Sequence, residues 1–80
     1  MTVGLLLRSA REQAGLSIAD VAAATRMRAS IIEAMESDDF SHCGGDVYAR
    51  AQLRMMAPIL GLDPEELASS FDAQSPDLDY

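Results

Sequence analysis

The sequence has no tryptophan and no lysine, and only one histidine and one cysteine in 80 residues. A lone Cys43 excludes an internal disulfide, and its one candidate metal partner, His42, is its chain neighbour with no second Cys or His elsewhere. The two read as an ordinary loop thiol beside an ordinary loop imidazole. There is no glycine-rich phosphate loop, no Ser-His-Asp set, and too few aromatic rings for a base-stacking platform. The adjacent carboxylates Asp38-Asp39 and Glu65-Glu66 fall in a loop and at a helix start, where solvation and capping explain them. No apolar run approaches the roughly 20 residues needed to cross a bilayer, and the N-terminus lacks the features of a secretory signal. The expectation is a cytoplasmic chain with no catalytic, cofactor or metal site and no small-molecule substrate.

What is present fits one domain. With 49% hydrophobic residues in this length there is material for a single core, and helix packing must stabilise it. Six arginines face thirteen acidic residues, for a formal net charge of −7. That balance disfavours broad contact with nucleic acid, whose non-specific affinity comes from cations neutralising phosphates.

Helical periodicity runs through most of the chain. Thr2 is a candidate N-cap, after which Val3, Leu6, Leu7, Ala10 and Ala14 share one face, with a stop at Gly15. Ser17 and Asp20 form the pattern of a capping box for a second helix ending near Thr25. After the Arg26-Met27-Arg28 connection, Ile32 and Met35 mark a third helix ending near Ser37. Residues 38–45 read as a loop pinned by Phe40. A fourth helix spans about Asp46 to Leu60, with a kink or an early finish expected at Pro58. Gly61 stops it, and Asp63 with Pro64 starts a fifth helix that fades after Phe71. The predicted organisation is an all-α, compact five-helix domain over 1–72 and an acidic linker or disordered tail over 73–80.

The three short opening helices, with Leu16-Ser17, Met27, Ile32, Met35 and Glu36, resemble the lambda-repressor-like (XRE) helix-turn-helix superfamily. Val47-Tyr48-Ala49-Arg50, Leu53-Arg54 and Leu60-Gly61-Leu62-Asp63-Pro64-Glu65-Glu66-Leu67, with Ala10-Arg11-Glu12, are similar to the cytoplasmic N-terminal domain of the RodZ family. The resemblance covers residues 3 to about 72. It implies a domain carried ahead of a linker and one transmembrane helix, so that a membrane is met only through a segment absent from this chain. It also implies a protein partner, an MreB-like bacterial actin or another cell-shape or division protein. The contact implied for that partner uses two aromatic residues one turn apart, which match positions 48 and 52. Tyr48 keeps the first, whereas the second position holds Gln52.

Three sets of residues then matter. In DNA-reading relatives the start of helix 2 carries a glutamine, where this chain has Ile18. The start of helix 3 offers Ala29, Ser30, Ile31 and Glu33, which read few base edges. Arg26, Arg28, Ser30 and Glu33 are the candidates for nucleic-acid contact, and any DNA binding is expected to be weak or non-specific. Transcription regulation of the XRE type is the alternative function. Arg11 and Glu36 match positions that often form an ion pair between helices 1 and 3, a structural brace. Helix 4 carries a core stripe, Ala49, Leu53, Met56, Ala57 and Leu60, and a second stripe, Tyr48, Gln52, Met55 and Ile59, at i, i+4, i+7 and i+11. The second stripe either docks a partner or is buried by helix 5 through Leu67 and Phe71.

Overall fold

The computed structural model describes residues 2–74, and among them finds five helices and no strand. They are α1 (Val3–Gln13), α2 (Ile18–Thr25), α3 (Ala29–Glu36), α4 (Asp46–Leu60) and α5 (Pro64–Gln74).

Three of the helices, α1, α2 and α5, begin at a side-chain cap, and α1 also draws on distant partners. The Thr2 hydroxyl accepts from the Leu5 amide. The other free amides of the first turn are taken from far along the chain. Gln74 Oε1 accepts from Val3 N–H at 2.7 Å, and Asp38 Oδ1 accepts from Gly4 N–H at 2.9 Å. In α2 the Ser17 hydroxyl takes the Asp20 amide while the Asp20 carboxylate takes the Ser17 amide, a complete capping box. Those bonds hold the Asp20 carboxyl below its ordinary range. Asp63 Oδ1 accepts from the amides of Glu65 and Glu66 at the start of α5, behind Pro64.

Helix ends follow the backbone. Gly61 takes the left-handed conformation that L side chains resist, and the Leu62 amide closes on the Ala57 carbonyl at 2.8 Å. Pro58 does not finish α4 early. The helix runs on to Leu60, since one proline removes only one backbone donor and its ring lies on the exposed side. The fifth helix outlasts the expected fade at Phe71, because the Gln74 side chain is tied to Val3 and Asp38. Ala73 and Gln74 are therefore helical, and the rest of the expected tail, 75–80, lies outside the described residues.

The core gathers Leu7, Val21, Ile32, Met35, Leu53 and Met56 from the first four helices around Phe71 of α5. Phe40 pins the 38–45 loop by meeting Phe71 edge to face, with ring centroids 4.9 Å apart. The neighbouring Cys43 is no exposed loop thiol. It is buried with the core, and burial pushes its thiol pKa up. Helices α1 and α3 touch backbone to backbone at Gly4. A Cβ there would lie 2.6 Å from the Glu36 carbonyl oxygen, 2.8 Å from that of Met35 and 2.9 Å from the Asp38 amide.

Candidate functional site

The helix-turn-helix unit is α2, the turn 26–28 and α3. Arg26 caps α2 in a left-handed conformation and Arg28 is the N-cap residue of α3, without a side-chain cap. Both are exposed, as are Ser30 and Glu33 on α3. Arg28, Ser30, Ile31 and the exposed His42 line one shallow depression, and His42 sits 3.5 Å from Asp39. Four of the six arginines have carboxylate partners: Arg8 with Glu12, Arg11 with Glu36, Arg50 with Asp72 and Arg54 with Glu65. Arg26 and Arg28 have none among the described residues. The unit from Ser17 to Phe40 thus sets two free arginines against five carboxylates, two of them engaged by Arg11 and His42.

The structure brings Arg11 and Glu36 together. The guanidinium donates to Glu36 through Nε at 2.7 Å and through Nη2 at 3.1 Å, and Nη1 donates to the Leu16 carbonyl at 3.0 Å. The side chains keep only 15% and 8% of their exposure. The hydrogen bond to Glu36 outweighs burial and raises the Arg11 pKa above its ordinary value. The guanidinium joins α1, the α1–α2 link and α3 in one place.

Along α4 the predicted inner stripe is the buried one: Ala49, Leu53, Met56, Ala57 and Leu60. Helix α5 packs against α4 without covering the second stripe completely. Tyr48 and Met55 are 62% and 49% exposed, while Gln52 and Ile59 are half-buried. The fully outward line is rotated toward Val47, Ala51, Met55 and Pro58, and Val47 is 68% exposed. Sequence periodicity missed Val47, Ala51 and Pro58. Their own spacing of 47, 51, 55 and 58 was the available signal. Arg54, exposed and one turn from Ala51 and Pro58, borders that line and pairs with Glu65 of α5, while Arg50 pairs with Asp72 on the flank. Gln52 is the polar exception within the stripe. Its Oε1 is buried and has no hydrogen-bond partner among the described residues.

Among the described residues no three His, Cys, Asp or Glu side chains converge as a metal site. No helix there is long and apolar enough to cross a membrane.

Comparison with known proteins agrees with this architecture. Residues 6–67 match a family described as a helix-turn-helix domain. Over 74 residues the chain is 34% identical to the cytoskeleton protein RodZ of Streptococcus pneumoniae (strain ATCC BAA-255 / R6). That alignment takes in 92% of this chain and 27% of the relative, so the chain spans about a quarter of the length of the curated protein it matches. No solved structure matches the chain significantly.

Proposed function

Because the chain belongs to the helix-turn-helix domain family and is RodZ-like, we propose that it is a non-catalytic protein-docking module of a cell-shape protein, working on the cytoplasmic side. Its docking surface is the outer face of α4, with Tyr48 and Met55 as anchors, Gln52 and Ile59 at the inner margin, and Val47 and Ala51 extending it. The partner is an MreB-like actin or another cell-shape or division protein.

The observation that carries this reading is the exposure of Val47, Tyr48 and Met55 on one side of α4, a face with Arg54 as its only bordering charge among the described residues, in a chain of net charge −7. Small soluble domains rarely leave a continuous apolar face uncovered, and aromatic and methionine side chains suit an adaptable interface. The relative's description as a cytoskeleton protein agrees with such a partner. Gln52 stands where the resemblance implies a second aromatic. Losing an aromatic anchor from the centre of an interface commonly costs ~2 kcal/mol or more, so binding to an MreB-like actin is expected to be weak.

The test is co-sedimentation of the 80-residue chain with polymerised MreB-like actin from the same cell, using wild type, Tyr48→Ala, Met55→Ser and Gln52→Phe. The first two should stay folded by circular dichroism and lose binding, and the third should bind more tightly. Unchanged co-sedimentation of folded Tyr48→Ala and Met55→Ser would remove α4 as the docking surface.

A further inference from the structure

A second surface lies along the seam between α1 and α5 and shares no residue with the outer face of α4. Leu6 of α1, Leu62 of the α4–α5 link and Leu67 of α5 line a hollow whose remaining wall is Asp63, Glu66 and Ser70. Its cavity volume is about 90 Å³. That is far below the roughly 300–1,000 Å³ of small-molecule sites, and is the scale of one branched aliphatic side chain. Ser70 also borders a second hollow of about 410 Å³ with Thr2, Ala73 and Gln74, a wide-open trough rather than an enclosed pocket, which extends the depression along the seam. Among the described residues no cation lines either hollow.

Charge selects the occupant. Asp63 is spent on capping α5, and Glu65 and Asp72 are paired with Arg54 and Arg50. Glu66 makes no ion pair and no side-chain hydrogen bond among the described residues, and it stands at the edge of the hollow. We infer that the α1–α5 groove, with its Leu6-Leu62-Leu67 floor and free Glu66, docks an amphipathic helix from a protein partner that inserts an aliphatic side chain and sets a lysine or arginine one turn away against Glu66. Apolar contact supplies the binding, as in helix-in-groove recognition, and the carboxylate fixes orientation and excludes acidic partners.

A fluorescein-labelled 14-residue helix of leucine and lysine, with its leucines on one face, serves as the probe. Versions with alanine for leucine and with glutamate for lysine are the comparisons, all in about 150 mM salt, where long-range attraction is screened. Amide shifts should gather at Leu6, Leu62, Leu67 and Ser70. Glu66→Gln should weaken binding about threefold or more and Ser70→Arg about tenfold, with both variants folded because both positions are exposed. Glu33→Gln, an exposed carboxylate on α3, and Tyr48→Ala should change nothing. The alanine and glutamate peptides should not bind. Equal weakening by Glu33→Gln and Glu66→Gln would reduce the effect to general attraction for an acidic protein and overturn the inference. Shifts centred on Val47, Tyr48 and Met55, or no binding at all, would overturn it as well. Since Tyr48→Ala reports on α4 alone, the two docking surfaces fail separately.

Discussion

Arg11 grips Glu36 with two arms of its guanidinium and the Leu16 carbonyl with the third, and the three contacts tie α1, the α1–α2 link and α3 together. Arg11→Ala would leave the Glu36 carboxylate nearly sealed and unpaired. Breaking a buried pair from one side costs on the order of 3 kcal/mol, and for a domain of this size the melting temperature should fall by about 10 °C or more. Arg8→Ala, which removes only the exposed pair with Glu12, should leave it nearly unchanged. Equal effects in thermal unfolding by circular dichroism would show that the brace contributes nothing special.

Asp38 gives a dependence on pH. Burial works against its charge, but the bonds from the Gly4 amide, the Thr2 hydroxyl and the Gln74 amide prevail and hold its carboxyl below the usual range. A carboxyl whose folded pKa is depressed contributes stability above its unfolded pKa, and that contribution fades as pH falls toward the folded value. Asp38→Asn keeps the shape and tolerates the left-handed backbone at this position, where φ is 64°. It should be less stable than wild type at pH 7, with the gap closing below about pH 4. A gap independent of pH in urea unfolding would mean that the charge is irrelevant.

Gln52 is a place where the fold gives up stability. Its Oε1 is buried without a donor among the described residues, and leaving such a group unsatisfied costs about 1–3 kcal/mol. Leucine has a similar helix propensity and no polar atom, so Gln52→Leu should raise the melting temperature by several degrees, on the order of 4–8 °C per kcal/mol. A lower melting temperature would show that the amide is held in a way the apolar side chain cannot replace.

Duplex DNA should bind weakly. Among the described residues Arg26 and Arg28 are the only cations of the helix-turn-helix unit without a carboxylate partner, and two neutralised phosphates give a log–log salt slope no steeper than about −2. Fluorescence anisotropy across a salt series decides this. A slope near −6, or one operator held at nanomolar Kd in about 150 mM salt, would restore the transcription-regulator reading.

Local chemistry was legible in the sequence, and long-range chemistry was not. The capping box of Ser17 and Asp20, the start at Pro64 and the stop at Gly61 each depend on residues within a few positions of one another. Helical spacing also separated the buried stripe of α4 from the rest, residue for residue. It did not reveal how far α5 and its link would wrap round the flank. Gln52 and Ile59 consequently lie half-covered while Val47 and Ala51 face outward. Asp38 and Gln74 looked like loop and tail. Their roles depend on partners 34 and 71 positions away, where periodicity carries no signal.

The bond between Val3 and Gln74 bears on how the chain is made. The cap of α2 is complete within residues 17–20, so that start can form while synthesis proceeds. The first turn of α1 lacks a partner for its leading amide until α5 has been translated. The opening of the domain therefore waits for its close, and the first turn of α1 is completed only once α5 has been made. Any truncation before residue 74, whether by a premature stop or a protease, leaves the beginning of the domain as unfinished as its end.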